Sequence, residues 1–236
     1  MPTSFLKKQS LKPKITYPLI HHLFNGQSKR HFSPGKKIYT PDTHSDRVYY
    51  VREGTVQIYN LIEDKKLIKH LAFPNEMFGI EGLFKMPIHK NFAEPLKMDC
   101  LILSIGTTDF LTNMEKNRAL SAEFFLQLGK RQSRLEKRLS SKALETSEYV
   151  VIEFLEELGE RAGSLLGVEI LVPFMPAHED IANILGVSRQ LVSATLSKLR
   201  NLNLIYYNRN KMIIRDFYGK ILKYLDNKTL GKNREN

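Results

Sequence analysis

The stretch of residues 177–200, AHEDIANILGVSRQLVSATLSKLR, constrains the fold of this chain more than any other part of the sequence. Its apolar residues recur at helical spacings, and they are Ile181, Ile184 and Leu185, then Val192, Leu196 and Leu199. Gly186 can adopt the positive φ that ends one helix, and Ser188 can cap the next. The sequence therefore predicts two short helices that share one small core and are joined by a turn of about three residues.

A β-hairpin is predicted directly after the two helices. Residues 204–207 and 212–214 are apolar and β-prone, and residues 208–210 have the composition of a turn. An ordinary helical hairpin is the alternative for residues 177–200, but the added wing favours a winged helix-turn-helix, whose second helix enters the DNA major groove. In that interpretation Arg189, Gln190 and Ser193 face outward at the start of the second helix.

Positive charge is concentrated in the same part of the chain. The net charge of the protein is +11, and residues 189–236 contain eleven Lys or Arg against three Asp or Glu. Neutralisation of DNA phosphates is a direct reason for such an asymmetry. We expect Lys198, Arg209 and Lys211 to contribute to it, together with Arg215. Residues 228–234 have too few apolar side chains to fold and are interpreted as a solvated tail.

Length and composition restrict the class of protein. A chain of 236 residues can form two domains with sizeable cores. No apolar run approaches the ~18 residues of a membrane span and the N-terminus lacks a signal-peptide core, so a cytoplasmic protein without a membrane partner is expected. The single cysteine, Cys100, excludes an intramolecular disulfide and any cysteine-built zinc or iron–sulfur site. We predict no metal site.

The segment of residues 32–105 has the pattern of a β-barrel or sandwich. Short β-prone segments alternate with turn residues, and they are KKIYT, RVYYVRE, TVQIYNL, KLIKHLA and CLILSIG. RVYYVREGTVQIYN is predicted to be a hairpin with Gly54 at its turn. Gly79 and Gly82 in the run MFGIEGLF indicate a backbone that bends, either at a bulge or around a ligand.

Helices are predicted on both sides of the β-rich segment. Short helices are expected at residues 17–24 and 107–114, and a long one from Asn117 to about Ala143. The long helix carries an apolar stripe suited to packing along another helix, formed by Leu120, Phe124, Leu128, Leu135 and Leu139. Ser147 is expected to cap a further helix that Gly163 and Gly167 end, and GVEILVPF to form a strand.

The order of these parts resembles the Crp/Fnr superfamily of bacterial transcription regulators over roughly residues 30–217. The resemblance rests on FSPGKKIY, DRVYYVREGTVQIYN, FGIEGLF, the long helix, and HEDIANILGVSRQLVSATLSKLRNLNLI with its wing. It implies an α+β fold with a cyclic-nucleotide-binding-like β-roll (1–116) that senses an effector, a long dimerisation helix and hinge (117–146), and a winged helix-turn-helix with a basic tail (147–236). It also implies a homodimer that binds double-stranded DNA and contacts RNA polymerase.

The resemblance assigns roles to the start of the second helix. Ser188 and Arg189 fall where the family contacts phosphate and guanine, and Arg189 suits a bidentate bond to guanine. Gln190 replaces a glutamate that reads cytosine in the cyclic-AMP receptor protein, so adenine is expected opposite it. Ala194 replaces an arginine, and Ala177 replaces a capping Thr or Ser. We therefore expect specificity to depend on Arg189 and Gln190.

The resemblance also predicts an effector pocket whose residues depart from the cyclic-nucleotide pattern. The predicted residues are Phe78, Gly79, Ile80, Glu81, Lys90, Asn91, Arg131 and Arg134. Ile80 replaces the glutamate that holds the ribose, and Lys90 and Asn91 replace the Arg-Ser pair that holds the cyclic phosphate. Cyclic AMP is therefore not expected as the ligand.

Several cofactor hypotheses stay open at the level of the sequence. An iron–sulfur cluster is excluded by the cysteine count, whereas haem ligated by His70, His89 or Pro2 is a weak alternative. A dicarboxylate bound by Arg131 or Arg134 resembles the nitrogen-control regulators of the superfamily. A protein without an effector is the remaining hypothesis.

Two other classes of function compete with DNA binding. A sensor whose C-terminal domain binds a protein partner is the first, but it does not require the excess of positive charge in residues 189–236. An enzyme is the second, with His178, Glu179 and Asp180 as candidate residues. Three consecutive residues on a helix point in different directions, so we predict no enzymatic activity.

Overall fold

The computed structural model describes residues 17–63 and 65–215; Pro2 and the predicted basic tail lie outside them. The N-terminal part contains α1 (Pro18–Phe24), β1 (Ser28–Phe32), β2 (Arg47–Glu53), β3 (Val56–Ile62), β4 (Lys65–Ala72), β5 (Met77–Phe78), a 3-10 helix (Glu81–Phe84), β6 (Phe92–Pro95) and β7 (Cys100–Gly106). Three helices follow, α2 (Thr107–Lys116), α3 (Arg118–Leu144) and α4 (Ser147–Ala162). The C-terminal part contains β8 (Ser164–Leu166), β9 (Glu169–Val172), α5 (His178–Leu185), α6 (Arg189–Asn201), β10 (Ile205–Tyr207) and β11 (Met212–Ile214).

The β-roll consists of two antiparallel sheets with strand orders β1-β7-β2-β5 and β4-β3-β6. Strand β2 shows why both faces of the first sheet are apolar. Val48 and Tyr50 pack toward the helices, whereas Val51 packs into the interior between the two sheets. The roll interior and the helix-covered outer face are therefore separate cores on opposite sides of one sheet.

Two of the predicted strand features are wrong. Strands β2 and β3 do not pair with each other, because the chain leaves one sheet and enters the other at Gly54. Gly54 has a φ of +85°, and a Cβ there would lie 2.5 Å from the Cys100 Sγ. A sharp, crowded corner therefore replaces the predicted hairpin turn. In the predicted strand KKIYT, the ladder is reduced to an isolated bridge between Tyr39 and Ala93.

Helices α1, α2 and α3 cover the outer face of the first sheet. Phe24 stacks on Tyr50 at a centroid distance of 4.9 Å, and Phe110 contacts Phe124 edge to face. The Glu123 carboxylate on α3 accepts a hydrogen bond of 3.0 Å from the Ile20 backbone N–H in the first turn of α1. A carboxylate suits the positive end of a helix, so it fixes α1 on α3.

The C-terminal part is a winged helix-turn-helix, as predicted. Its sheet has the order β10-β11-β9-β8, and α4, α5 and α6 pack on it. Thr146 rather than Ser147 caps α4, because its hydroxyl accepts a hydrogen bond from the Tyr149 N–H at 3.3 Å. Gly163 ends α4, but Gly167 has a φ of +64° in the turn between β8 and β9.

The C-terminal part packs directly on the second sheet of the roll. One apolar core contains residues of α4, α5 and α6 together with roll residues such as Ile68, Leu71 and Phe73. Helix α5 lies against β4. Burial of each of these side chains contributes on the order of 1.5–3 kcal/mol, so the two parts are held by a shared core.

A network of ion pairs lies beside this shared core. Arg161 at the end of α4 donates hydrogen bonds to the Glu76 Oε2 at 2.7 Å and to the Leu71 carbonyl oxygen at 2.9 Å. The same guanidinium pairs with Glu157 and lies over the Phe73 ring at 4.1 Å. Its side chain is only 11% exposed. Arg161 therefore ties α4 to the loop between β4 and β5.

Two arginines of α3 extend the network. Arg138 donates to the Glu157 Oε2 at 2.7 Å, and Arg134 pairs with the Glu76 Oε1 at 3.4 Å. The network thus joins the roll, the long helix and the C-terminal part. Within the described residues, no helix is long and apolar enough to cross a membrane.

Replacement of Arg161 by Ala should destabilise the protein by about 1–3 kcal/mol, because Glu76 and Glu157 would each lose one of two cations and the Leu71 carbonyl oxygen would lose its side-chain donor. The free energy of unfolding can be measured with urea at a fixed protein concentration. Arg118→Ala is the matched control, since Arg118 is exposed at the start of α3. Equal midpoints for the two variants would contradict the structural role of Arg161.

Candidate nucleic-acid interface and effector pocket

The turn between α5 and α6 has the geometry that the sequence predicts. Gly186 has a φ of +64°, and its N–H donates to the Ala182 carbonyl oxygen at 2.8 Å. The Ser188 hydroxyl accepts a hydrogen bond of 3.2 Å from the Leu191 N–H and so caps α6. Ala177 precedes α5 without a side-chain cap, as its apolar side chain requires.

The first turn of α6 presents polar side chains to solvent. Arg189 and Gln190 are exposed, and Ala194 lies one turn further along on the exposed side. The Arg189 Nε lies 4.0 Å from the Glu179 Oε2, and both side chains are more than half exposed. A pair this exposed is weak, so the guanidinium can leave Glu179 for another acceptor.

Ser193 has a partner that the sequence analysis missed. Its Oγ lies 2.8 Å from the Nδ1 of His178, the first residue of α5, and Ser193 is only partly exposed. The His178 ring also packs edge to face against Tyr207 of β10. A histidine at the start of one helix and a serine on the next gave no local signal, because they meet only through the crossing of α5 and α6.

Lys198 differs from its predicted role as a phosphate contact. Its Nζ pairs with the Glu148 carboxylate of α4 and is 31% exposed. The ion pair holds α6 on α4 and places the ammonium away from the first turn of α6. Arg200, which was not predicted, is exposed and lies over the Tyr207 ring at 5.7 Å.

The wing presents two exposed cations at its tip. The Asn208 Oδ1 accepts hydrogen bonds from the backbone N–H groups of Asn210 and Lys211 at 2.8 and 3.0 Å. This Asx turn fixes the loop, and Arg209 and Lys211 are exposed on it. Arg215, at the base of the wing, pairs with the Glu169 Oε1 at 3.6 Å.

A small cavity lies between the roll and α3. It is lined by Ile80, Arg131 and Arg134, which were predicted, and by His70, Glu76, Met77, Phe124, Gln127 and Leu128, which were not. Its volume is about 10 Å³, which admits about one water molecule. Burial, followed by the charge of Arg131, lowers the pKa of His70 well below its usual value. The cavity is therefore lined by a neutral imidazole and two guanidiniums.

Three other predicted pocket residues belong to the interior of the roll. Phe78 is buried between the sheets, and Gly79 has a φ of +63° with Tyr49 directly against it. The Glu81 Oε2 lies 3.3 Å from the Nδ1 of His89, whose buried ring stacks on Tyr39 at 3.7 Å. The bend at Gly79 thus packs against aromatic side chains of the roll, whereas Gly82 lies directly against the backbone of Ser45.

Lys90 and Asn91, which the sequence predicts in the pocket, lie apart from the cavity beside α3. Lys90 is exposed, and the Asn91 Oδ1 accepts a hydrogen bond of 3.0 Å from Lys69 on β4. Neither residue lines the cavity. The stack of His89 on Tyr39 holds the chain before them inside the roll, and they emerge on the surface of the second sheet.

Comparisons with known proteins agree with this geometry. The family model of the cyclic nucleotide-binding domain matches residues 29–117 of the sequence. The family model of the Crp-like helix-turn-helix domain matches residues 151–219. The nitrogen fixation regulation protein FixK of Rhizobium meliloti (strain 1021) is 30% identical over 175 residues, 74% of this chain and 76% of that protein. The chain belongs to the Crp/Fnr family of transcription regulators. It is therefore a DNA-binding transcription regulator, and its relatives are not enzymes.

Solved structures of the Crp/Fnr family share the fold. FixK2 from Bradyrhizobium japonicum has a TM-score of 0.70 at 20% identity, covering 81% of this chain and 93% of that one. A CooA mutant from Carboxydothermus hydrogenoformans has a TM-score of 0.68 at 21% identity, covering 86% and 89% of the two chains. The predicted α+β fold, with a β-roll, a long helix and a winged helix-turn-helix, is confirmed.

The predicted dimer stripe divides into two parts along α3. Leu120 and Phe124 are buried against α1 and α2 in their own domain, so their prediction as dimer contacts is wrong. An open groove with a volume of about 470 Å³ instead follows the other face of the helix. It is lined by Ile80, Phe125, Leu128, Gly129, Arg131, Gln132 and Leu135. Phe125 is 64% exposed on this face.

The surroundings of His70 and His89 do not fit a haem. His70 faces a cavity of about 10 Å³, and the His89 ring is enclosed in the roll with Tyr39 stacked on it. Across residues 17–63 and 65–215, no cluster of three or more potential metal ligands occurs. Haem ligation would require both side chains to leave their packed positions.

We expect cyclic AMP to leave the melting temperature of the protein unchanged, because the cavity has no room for a nucleotide. A ligand at about 100 times its Kd would stabilise the folded state by about 2.7 kcal/mol, which thermal unfolding detects readily. Arg131→Ala is the companion variant, since it removes a side chain that lines the cavity. A rise in melting temperature for the unmodified protein would contradict this expectation.

Proposed function

We propose that this Crp/Fnr family regulator reads its operator with the first turn of α6 as a homodimer controlled without cyclic AMP. The observation that carries the proposal is the exposure of Arg189 and Gln190 at the start of α6, beyond the core that α5 and α6 share. Arg189 would bind guanine O6 and N7, and Gln190 would bind adenine N6 and N7. Ser193 would face the next base pair.

Contacts to phosphate would come from three places around this turn. Ser188 and the free N–H groups at the start of α6 suit a phosphate oxygen. Arg209 and Lys211 at the wing tip suit the adjacent backbone. Arg200 is the better candidate on α6, because it is exposed whereas Lys198 is paired with Glu148.

The homodimer is supported by the groove along α3. Phe125 and Leu135 are exposed apolar side chains on one face of a helix, which a second copy of α3 would cover. A two-fold axis along α3 would place two copies of α6 in successive major grooves, about 34 Å apart. We accordingly assign residues 1–116 to sensing, 117–146 to dimerisation and the hinge, and 147–236 to DNA binding.

We propose that the regulator responds to an effector other than cyclic AMP or to no effector, because the cavity between the roll and α3 is small. Arg131, Arg134 and Gln127 could hold only a small anion, and only after Glu76 gives up Arg134. Both alternatives stay part of the proposal, because the cavity shares Ile80, Leu128 and Arg131 with the open groove along α3.

RNA polymerase is the proposed protein partner of the DNA-bound form. The β8–β9 hairpin carries exposed apolar side chains, Leu165, Leu166 and Val168, of which Val168 is 80% exposed. Apolar residues at a hairpin tip are suited to protein contact. The proposed place of action is the cytoplasm, where operator DNA and polymerase are found in bacteria.

The two competing classes of function have less support. An adaptor would leave the cations at the start of α6 and at the wing tip without a purpose. An enzyme built on His178, Glu179 and Asp180 would need them to converge, but His178 contacts Ser193 and Glu179 extends toward Arg189. We propose that the chain has no enzymatic activity.

Replacement of Arg189 by Ala should weaken operator binding by about 1–3 kcal/mol and relax the preference at one base pair in each half-site. Lys211→Ala should weaken binding to all DNA sequences alike and reduce the slope of log K against log[salt] by about one. Binding can be measured by fluorescence anisotropy from about 50 to 200 mM salt. If the protein prefers no genomic sequence over bulk DNA, the proposal is wrong.

Replacement of Leu135 by Asp should convert the dimer to a monomer, because a carboxylate in an apolar helix interface has no partner there. Leu111→Asp is the matched control, since Leu111 is 40% exposed on α2, outside the groove. The molar mass can be measured by light scattering after size exclusion. Monomeric wild-type protein would contradict the proposed assembly.

A further inference from the structure

The hydrogen bond between His178 and Ser193 joins the two helices at the proposed DNA surface. The Nδ1 and Oγ atoms are 2.8 Å apart, and the His178 ring packs at 5.9 Å against Tyr207 of the wing. Ser193 follows Arg189 by four residues and Gln190 by three, so all three lie on the same side of α6. His178 therefore controls a side chain adjacent to the proposed base-reading residues.

Charged side chains surround His178 on several elements, and Lys66 of β4 and Lys97 act on the neighbouring Asp180. Arg189 belongs to α6, Glu179 and Asp180 follow His178 on α5, and Arg200 lies over the Tyr207 ring. Burial, followed by the charge of Arg189, lowers the pKa of His178 below its usual value. Both effects favour the neutral ring in the free protein.

The protonation state of the ring decides what the serine hydroxyl can offer. A hydroxyl has one proton and two lone pairs, and a neutral imidazole has one nitrogen that accepts. With the proton on Nε2, the Ser193 hydroxyl donates to Nδ1 and presents only lone pairs to the groove. When the imidazole gains a second proton, Nδ1–H donates to Oγ and the hydroxyl proton is released toward the groove.

We propose that His178 is a positioning residue that sets the hydrogen-bond polarity of Ser193, and that a proton on His178 removes the preference of Ser193 for bases that donate. With a neutral ring, Ser193 selects the major-groove donors, adenine N6 or cytosine N4. With a charged ring, the hydroxyl proton is free as well, so Ser193 also binds acceptors such as guanine O6 or thymine O4. The inference rests on the proposed function, in which Ser193 faces a base pair.

Binding to DNA moves this equilibrium toward the physiological range. In the proposed complex, the phosphates bound at Ser188 and at the wing tip add negative charge around His178, which favours the protonated ring and raises the pKa of His178 relative to the free protein. Ser193 therefore prefers a base donor above the pKa that His178 has in the complex. This preference is lost as the pH falls through that pKa.

The test is a competition assay with operators that carry each of the four base pairs at the position facing Ser193, from about pH 5.5 to 8. The wild-type ratio between donor and acceptor bases should change by about fivefold, the effect of one hydrogen bond. His178→Asn and Ser193→Ala should give ratios that do not change with pH. His22→Asn is the matched control, because His22 is an exposed histidine on α1, and it should follow the wild type.

The outcomes separate the inference from the proposed function. If Ser193→Ala changes the base preference at no position of the operator, Ser193 does not read a base. Both the proposed contact and the inference are then overturned. If Ser193→Ala relaxes one base pair but the wild-type ratio there ignores pH, only the role of His178 is overturned. A uniform loss of affinity in His178→Asn at all sequences would show a purely structural role and overturn it as well. The tautomer of His178 can be observed by ¹⁵N NMR of the free protein at about pH 7.5–8. A proton on the His178 Nδ1 under these conditions would also overturn the inference.

Discussion

The arrangement of this protein depends on Arg161, which lies where the roll, the long helix and the C-terminal part meet. Its guanidinium has two carboxylate partners, Glu76 from the roll and Glu157 from α4, and a carbonyl acceptor at Leu71. A buried cation is costly without such partners, so each partner must keep its position for the others to be satisfied. The apolar core beside it holds the parts together, and the directional ion pairs fix their relative orientation.

The same network forms one wall of the cavity between the roll and α3. Glu76 holds Arg134 on one side and Arg161 on the other, and both Glu76 and Arg134 line the cavity. The cavity is therefore connected to α4, and through α4 to α6, by direct side-chain contacts. Lys198 on α6, paired with Glu148 at the start of α4, completes this connection. A movement of α4 relative to the roll would alter the position of α6.

Local signals in the sequence were sufficient where structure is determined locally. The stripe from Ile181 to Leu199, the positive φ of Gly186 and the cap at Ser188 depend on residues a few positions apart, and the structure confirms them. The wing was predicted for the same reason. The pairing of β2 with β7 rather than β3, the surface position of Lys90, and the burial of Leu120 and Phe124 depend on contacts between distant segments. Alternation of residue type does not specify which distant strand or helix will be the partner.

The sequence by itself determined the family, the order of the parts and the residues at the start of α6, because periodicity, capping and turn chemistry act over short distances. The tertiary structure alone decided that Arg131 and Arg134 meet His70 and Glu76 in a cavity too small for a nucleotide. It also decided that Lys198 pairs with Glu148, and that His178 holds Ser193. Each of these contacts joins two elements whose side chains meet only after their apolar faces have been buried. Burial depends on area and not on sequence spacing, so no short pattern contains this information.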